Sequence, residues 1–464
     1  MKSSFLYEVW KCIPICVIMF YNTLTLGSFS NSYIIIPEVV LVFYYLLQGR
    51  TDKALFYHIL FVVCCISSEA IDGSEIDQIY SYSRLKIIGP LNVSDLIILI
   101  IAFKSLKNIR LNNKLPLFEK MIKLLLFLLI SGFVFGVIGL IFKEYKFSDF
   151  VNRSIYLIIV LIYAFCISNN NTDEFQNLMS VNVYRILWSV SVVSTICFLF
   201  FNVNISHSGV DNLSIGPDVG YYGIMIIFAL FSRNLLWVII AIALKIPMLV
   251  ISMSGKAIIV TSLCIIAFMY IYKYQANQFS KMVRFLFPMM ICIIVICAVY
   301  YLSKLEVSQY TIVKIGEVLA LFNGYSGMES SSQIRFSSFF NILYCGLMSP
   351  INLLFGQGFG GYFTDELHLF NGVSIDAGWS SEVIRSGRFT SAHDTFASVT
   401  LYHGIIGLYI IYGLCINYLK MIKESPMAFA AVIFLGLTFY SNFHFAIAGL
   451  LFLYTAEVEY YKSN

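Results

Sequence analysis

A polar stretch at 385–394 carries the side chains of this chain that are best suited to chemistry. It contains Arg385, Arg388, His393 and Asp394, and it leads straight into an apolar run. Histidine has the unperturbed pKa nearest neutrality, so His393 is suited to act as a general base. Asp394 is suited to cap the helix that follows, because a short acceptor side chain satisfies free backbone N–H groups there. The alternative interpretation is a polar loop that ends at an ordinary helix cap.

Three further cationic side chains are candidates for binding an anion. Arg335 opens a segment whose apolar residues are spaced as on one face of a helix, and Lys256 lies at the polar break SGK between two apolar runs. Lys245 lies inside an apolar run, where ionisable residues often mark a functional site. Arginine binds phosphate oxygens with a planar fork of donors, and lysine binds them as a point charge.

Each of these cations also has a structural interpretation. Arg335 could simply anchor an amphipathic helix at the membrane surface, and Lys256 could snorkel to the interface. Lys245 could pair with a helix carbonyl or with Glu38, which lies in another apolar run.

The remaining polar residues predict less. Asp218, in the run GPDVGYYG, stands at a predicted helix start, where a plain N-cap is favoured over a supporting role in a site. His207, His368 and His403 have no distinctive sequence context. No group of His, Asp and Glu has convincing metal-ligand spacing, and of the 11 cysteines all but Cys345 lie in apolar runs. We therefore expect no metal site, no cofactor and no disulfide framework.

Membrane helices must position these residues. The chain is 59% hydrophobic and 12% charged, with a mean hydropathy of +0.82, whereas about a quarter of the residues in a soluble domain are charged. Because a span needs roughly 20 mostly apolar residues, the sequence predicts an all-α, polytopic integral membrane protein with about 14 spans. They lie near 9–28, 32–48, 54–70, 90–106, 120–142, 152–168, 182–203, 218–232, 235–252, 256–274, 284–303, 395–418, 427–442 and 444–458.

The lysines and arginines in the short connections predict the orientation. With about 14 spans threaded, the basic connections near 50–53, 104–123, 273–284 and 420–423 all fall on one side, which should be cytoplasmic and should hold both termini. The predicted organisation is a transmembrane bundle at 1–303 with about 11 helices, a periplasmic loop at 304–394 with short helices and the site residues, and about three C-terminal helices at 395–464.

Three motifs in this order resemble those of the O-antigen polymerase and O-antigen ligase superfamily. They are the polar break SGK at Lys256, the helix opened by Arg335 with Pro350 and GQGFGG after it, and SAHDTF followed by HGIIGL. The resemblance covers roughly 210–410. Members of the superfamily act on undecaprenyl-diphosphate-linked sugars. Lys256 stands where the family tends to have arginine, and Asp394 stands where it tends to have asparagine.

The resemblance implies roles for the site residues. His393 would be the base that activates the acceptor hydroxyl, and Arg335 and Lys256 would bind the diphosphate. The other cations, Arg388, Arg385 and Lys245, join them as candidate substrate ligands, with Asp394 and Asp218 in support.

The implied function is polymerisation of undecaprenyl-diphosphate-linked oligosaccharide repeats into O-antigen or a related surface polysaccharide. It would take place at the periplasmic face of the bacterial inner membrane, by metal-independent, inverting glycosyl transfer. The expected partners are the lipid-linked oligosaccharides, membrane lipids and a chain-length regulator protein, with no nucleic acid.

Three other functions remain open. The first is an O-antigen ligase that transfers polysaccharide to lipid A-core, although about 14 spans favour the polymerase. The second is a flippase or other transporter of the same lipid-linked units, for which inverted repeats and midplane charges would be expected. The third is a structural membrane subunit, which would leave the stretch at 385–394 unexplained.

Overall fold

The computed structural model describes residues 5–25, 29–64, 86–88, 91–105, 115–201, 330–370, 379, 381–392, 395–440 and 443–463. Helices make up 82% of the described residues, so the all-α prediction is confirmed. Four segments of the described part are long and apolar enough to cross a membrane: Ser30–Leu47, Pro116–Phe142, Phe147–Asn169 and Thr395–Leu419. The four spans predicted between 218 and 303, and the predicted boundary at 303–304, lie outside the described residues.

The first helices follow the predicted apolar runs. Helix α2 has 13 residues and continues from the 3-10 helix before it, so the two together form the candidate span Ser30–Leu47. The described parts of α3 and α4 have 14 and 13 residues. A two-stranded antiparallel sheet, β1 with β2, precedes α4. The bounds in this part are α1 Phe5–Thr25, a 3-10 helix Phe29–Ile34, α2 Ile35–Leu47, α3 Thr51–Cys64, β1 Lys86–Ile88, β2 Leu91–Asn92 and α4 Val93–Ser105.

Three long helices follow: α5 (Pro116–Phe142), α6 (Phe147–Asn169) and α7 (Asp173–Phe201). Helix α5 begins at a proline, which has no N–H group to leave unsatisfied. The next two N–H groups, those of Leu117 and Phe118, donate to the carboxylate of Glu457 at 2.8 and 2.7 Å. A fully buried acidic side chain from the C-terminal helix therefore caps α5.

The second described half contains short helices and then a C-terminal group. The segment that follows Arg335 is helical, as predicted, but the helix already begins at Ser330, so Arg335 does not open it. The predicted span 427–442 is instead a short α-helix that continues as a π-helix. The bounds are α8 Ser330–Leu347, α9 Pro350–Phe355, α10 Ser381–Ser386, α11 Thr395–Leu419, α12 Met427–Ile433, the π-helix Phe434–Thr438 and α13 Phe443–Ser463.

Helix α11 is broken at Gly404, which the sequence pattern did not reveal. Gly404 has φ 65° and ψ −163°, far from helical values. An added Cβ there would lie 2.4 Å from the carbonyl oxygen of Leu354 in α9, so only glycine fits. The break lets α9 and the segment after it approach the backbone of α11, and this approach positions the candidate site.

Candidate functional site

A glycine-rich segment, 356–361, lies between α5 and α11. The N–H groups of Gln357 and Gly358 donate to the carbonyls of residues 401 and 402 in α11, at 2.7 and 3.1 Å. On the other side, the N–H of Phe359 donates to the carbonyl of Gly132 in α5 at 2.8 Å. The segment therefore joins two membrane helices through backbone hydrogen bonds.

Glycine is required on both sides of this contact. Gly358 has φ +77°, and a Cβ on it would lie 2.1 Å from the backbone nitrogen of Gly136. A Cβ on Gly132 would lie 2.5 Å from the ring of Phe359. Glycines permit tight turns and close backbone approach, and GQGFGG has both here. We call 356–361 with the facing backbones of α5 and α11 the glycine seam.

The short connection between α5 and α6, residues 143–146, makes side-chain hydrogen bonds to the glycine seam and to α9. Tyr145 Oη donates to Gln357 Oε1 at 3.1 Å, and Lys143 Nζ donates to Asn352 Oδ1 at 3.4 Å. Burial raises the pKa of Tyr145 and lowers the pKa of Lys143, because both charged forms lose water there. Tyr145 therefore stays a neutral hydrogen-bond donor.

Two ion pairs extend the same connection over the surface. Lys146 Nζ lies 2.7 Å from Glu382 Oε1 in α10. The hydrogen bond between them raises the pKa of Lys146 and lowers the pKa of Glu382. Arg388 Nη2 lies 3.2 Å from Glu144 Oε2, and its guanidinium carbon lies 5.0 Å from the ring centre of Tyr362.

The two predicted arginine ligands of this stretch therefore differ in setting. Arg388 has a carboxylate and an aromatic ring as neighbours and is exposed. Arg385 is exposed in the last turn of α10. Of the two, Arg388 is the one that contacts the 143–146 connection, through Glu144.

After the glycine seam, an isolated antiparallel bridge pairs two extended residues, Phe363 and Phe389. Phe363 and Phe389 exchange both backbone hydrogen bonds, at 3.0 and 2.9 Å, as in an antiparallel bridge. Their rings stack with centres 5.3 Å apart, and the rings of Phe370 and Trp379 pack against Phe389 at 5.0 and 4.7 Å. This aromatic cluster fixes the position of Phe389, directly before the residues 390–394 that lead to α11.

Three consecutive carbonyl groups, those of residues 390–392, each accept a side-chain hydrogen bond. The donors, in that order, are Tyr402 Oη at 2.5 Å, Trp379 Nε1 at 3.0 Å and Ser398 Oγ at 3.2 Å. His393 and Asp394 themselves lie outside the described residues. The backbone is thus held immediately before position 393, and α11 begins immediately after position 394 at buried Thr395.

Sequence reasoning missed Arg153, a half-buried residue in the second turn of α6. Its guanidinium carbon lies 5.6 Å from the ring centre of Tyr402, the residue that holds the carbonyl of Thr390. The available signal was an arginine at the very start of the predicted span 152–168, on the side predicted to be exported. Arg153 is therefore a cation next to the tethered approach to position 393.

Arg335 lies in the second turn of α8 and is half-buried. Its Nε is buried and has no hydrogen-bond partner among the residues that the structure describes. One turn later on the same face, the Phe339 ring packs 4.7 Å from the ring of Phe396, the second residue of α11. Arg335 is thus on a helix that contacts the beginning of α11.

His403 has a distinctive setting that its sequence context did not indicate. It is buried in α11, where Nδ1 lies 3.2 Å from Ser131 Oγ and Nε2 hydrogen-bonds to Tyr440 Oη. The backbone N–H of Tyr440 in turn donates to Thr395 Oγ1 at 3.3 Å. This network braces the first turns of α11 against α5 and the segment after the π-helix.

The other predicted site residues cannot be located relative to this cluster, since Lys256, Lys245 and Asp218 lie outside the described residues. Within the described ranges, no group of three or more His, Cys, Asp or Glu side chains could hold a metal ion. No protein-family model matches the chain. No curated protein matches it either.

Proposed function

We propose that this chain is a membrane-embedded glycosyltransferase that polymerises undecaprenyl-diphosphate-linked oligosaccharides into O-antigen or a related surface polysaccharide. The observation that carries the proposal is the tethering of three successive carbonyl groups, 390–392, next to Arg153 and directly before His393. A general base must be held within hydrogen-bond reach of the proton that it removes. A rigid approach to the base, with a cation nearby, suits that requirement.

In the proposed reaction, a sugar hydroxyl of the acceptor attacks the anomeric carbon of the lipid-linked donor. The new C–O bond forms as the bond from that carbon to the diphosphate breaks, and His393 takes the hydroxyl proton. Direct displacement with one base inverts the anomeric centre. The leaving diphosphate carries away the electron pair of the broken bond and is stabilised by cations.

The proposed cations come from several segments. Arg335 supports this role because its buried Nε–H has no acceptor among the described residues, and an unsatisfied buried donor costs about 1–3 kcal/mol. Arg153 joins it through its position beside Tyr402. Lys256 and Lys245 belong to the proposal through the sequence alone, as does Asp218. Arg388 and Arg385, being exposed, would contact the substrate at the surface.

The proposal includes a topology with about 14 spans, both termini in the cytoplasm and 304–394 in the periplasm of an inner membrane. Its motive is the one-sided distribution of lysine and arginine in the short connections. Reporter fusions at about residue 365 and at the C-terminus should give opposite signals. Equal signals would contradict the topology and with it the periplasmic site.

The decisive test uses two histidines of the same polar region. His393→Asn removes the base, and His368→Asn changes an exposed histidine whose positive φ of 53° asparagine tolerates. With purified protein and lipid-linked repeat units, wild type and His368→Asn should make a ladder of long chains. His393→Asn should lose about 10²–10⁴-fold in rate. A normal ladder from His393→Asn at matched protein level would contradict the base assignment.

The same assay separates the polymerase from its alternatives. A ligase would transfer chains to lipid A-core without lengthening them. A flippase of the same lipid-linked units would move them across a vesicle membrane and leave the ladder unchanged. The polymerase alone lengthens the chain on its lipid, and the new linkage should be inverted relative to the donor.

A further inference from the structure

Three polar side chains from three helices meet inside the bundle, away from the candidate site. Glu38 in α2, His58 in α3 and Tyr163 in α6 are each 0% exposed. Glu38 Oε1 lies 2.6 Å from His58 Nδ1, and His58 Nε2 lies 2.6 Å from Tyr163 Oη. The imidazole therefore bridges a carboxyl group and a phenol. We call these residues the buried trio.

The buried trio lies at one consistent depth. Glu38 comes nine residues before Leu47, the end of α2, and His58 comes seven residues after the start of α3. Tyr163 comes six residues before the end of α6. At 1.5 Å per residue, each of the three residues lies about 9–14 Å along its helix from the helix end just named. Tyr163 is also ten residues beyond Arg153 along α6, a separation of about 15 Å.

The trio can hold one proton more or one proton less while it keeps both hydrogen bonds of the imidazole. With the proton, the imidazolium donates from Nδ1 to the Glu38 carboxylate and from Nε2 to the oxygen of Tyr163. Without it, the neutral imidazole still donates from Nδ1, while Nε2 becomes an acceptor and the Tyr163 hydroxyl turns to donate to it. The released proton leaves for solvent, and rotation of one hydroxyl hydrogen is the only rearrangement within the trio.

The surrounding titratable groups bear on this exchange. Asp95 in α4 interacts electrostatically with His58 and Tyr163, and its carboxylate accepts from the backbone N–H of Asn92 at 2.9 Å. Cys166, one turn from Tyr163, is the other titratable neighbour on α6.

In the remaining helices that pack on α3, the titratable side chains named below have neighbours outside the buried trio. In α7, Glu174 pairs with Arg50 and Arg185 pairs with Glu8. In α13, Glu457 caps α5 and Glu459 accepts from two hydroxyl groups. In α1, the thiols of Cys12 and Cys16 lie near Ser189 of α7.

We propose that Glu38, His58 and Tyr163 form a proton-binding site inside the membrane bundle, distinct from the proposed transferase site. Ionisable side chains at such depth are costly, and where they persist they commonly relay or bind protons. The ligand of this site is a single proton, which the imidazole takes up with Glu38 as its counter-charge. Tyr163 reports the state of the site, since its hydroxyl accepts in one state and donates in the other.

The test is infrared difference spectroscopy across a pH titration of the full chain in lipid nanodiscs, with ring-labelled histidine. Wild type should show a histidine band and a tyrosine hydroxyl band that change together with one midpoint. Tyr163→Phe should lose the tyrosine change and shift the histidine midpoint. His58→Gln should lose both, whereas His403→Gln, a buried histidine with Ser131 and Tyr440 as its partners, should keep both.

The outcomes decide the proposal without any glycosyl donor, so they are independent of the transferase assay. A wild-type spectrum without a coupled histidine and tyrosine change would overturn it, because the trio would then be a fixed structural contact. The same holds if the coupled change survives in Tyr163→Phe. That variant removes one oxygen atom and leaves the ring in place, so the test does not depend on His58→Gln folding.

Discussion

The glycine seam and the buried trio join membrane helices in opposite ways. In the seam, Gly358 and Gly404 bring backbones into contact, and the hydrogen bonds run from main chain to main chain. In the trio, side chains span the gap between helices, and the hydrogen bonds run between Glu38, His58 and Tyr163. The seam therefore depends on the absence of side-chain atoms, and the trio depends on the presence of particular ones.

This difference teaches where each region tolerates change. Backbone contacts leave no room for a methyl group at the contact itself, but they tolerate side chains of any kind that point away from it. Side-chain contacts accept a change of volume elsewhere in the helix, but they leave a buried polar atom unsatisfied when one partner is lost. Four predictions test this contrast, in order of expected effect.

The largest effect is expected for Gly358→Ala in the seam. A Cβ would lie 2.1 Å from the backbone nitrogen of Gly136, at a φ of +77°. The positive φ costs about 1–2 kcal/mol, and overpacking adds about 1–3 kcal/mol or more. We expect loss of activity and a strongly lowered midpoint of thermal unfolding in detergent.

Gly413→Ala is the matched control for this change. Gly413 lies in α11, and a Cβ on it would meet nothing within 4 Å. Because alanine favours a helix over glycine by about 1 kcal/mol, the control should be neutral or slightly stabilising. Equal stability of the two variants would mean that the seam is not closely packed.

The second prediction concerns the trio. Glu38→Ala leaves the buried imidazole without its carboxylate, which should cost about 1–3 kcal/mol. Glu38→Gln keeps an acceptor for Nδ1–H of His58 and should cost less. Thermal unfolding of the two variants beside wild type measures the difference. If Glu38→Ala were as stable as Glu38→Gln, the hydrogen bond at 2.6 Å would contribute nothing.

The third prediction compares two tyrosines of α11. Tyr402→Phe removes the donor to the carbonyl of Thr390, which should cost about 1 kcal/mol of stability. Since this bond tethers the approach to His393, the rate of chain lengthening should fall by more than the stability change accounts for. The readout is the turnover rate at saturating donor, together with the unfolding midpoint.

Tyr418→Phe is the control for the third prediction. The Tyr418 hydroxyl is buried in the same helix and has no hydrogen-bond partner among the described residues. Removing it should leave both stability and rate unchanged, or slightly raise stability. A loss of rate in Tyr418→Phe equal to that in Tyr402→Phe would show that the tether to Thr390 has no special role.

The smallest effect is expected for the surface pair of Lys146 and Glu382. The pair lowers the pKa of Glu382, so its contribution to stability is present above the ordinary pKa of a glutamate and is lost as pH falls through the lowered value. The pair raises the pKa of Lys146, so that contribution is lost as pH rises through the raised value.

The measurement is the difference in unfolding midpoint between wild type and Glu382→Gln. It should be small at neutral pH, vanish in acid and shrink in high salt, because both side chains are exposed. A difference that persisted in acid would point to an effect of the substitution other than the ion pair.

Sequence patterns predicted the features that depend on local composition. Continuous apolar runs predicted α5, α6 and α11, and the glycines of 356–361 permit the close backbone approach that the structure shows. The helix that contains Arg335 followed from its apolar spacing. These features need only the period of a helix or the freedom of glycine, both of which a single sequence displays.

The features that sequence did not predict depend on partners far away in the chain. The break at Gly404 is required by the carbonyl of Leu354, which no local pattern indicates. Arg153 is a candidate because it lies over the ring of Tyr402. His403 is placed by its contact with Ser131, which lies 272 residues earlier. The sequence offers Glu38 as a partner for Lys245, and the structure shows it hydrogen-bonded to His58.

The carboxylate of Glu457 has a consequence for biosynthesis. The N–H groups of Leu117 and Phe118 receive this acceptor from a residue 340 and 339 positions later. A ribosome adding about 5–20 residues per second needs about 17–70 s to make that interval. During this time, water or lipid headgroups must accept the hydrogen bonds of the N–H groups at the start of α5. A helix that is synthesised late, α13, thus completes the start of a helix that is synthesised early, α5.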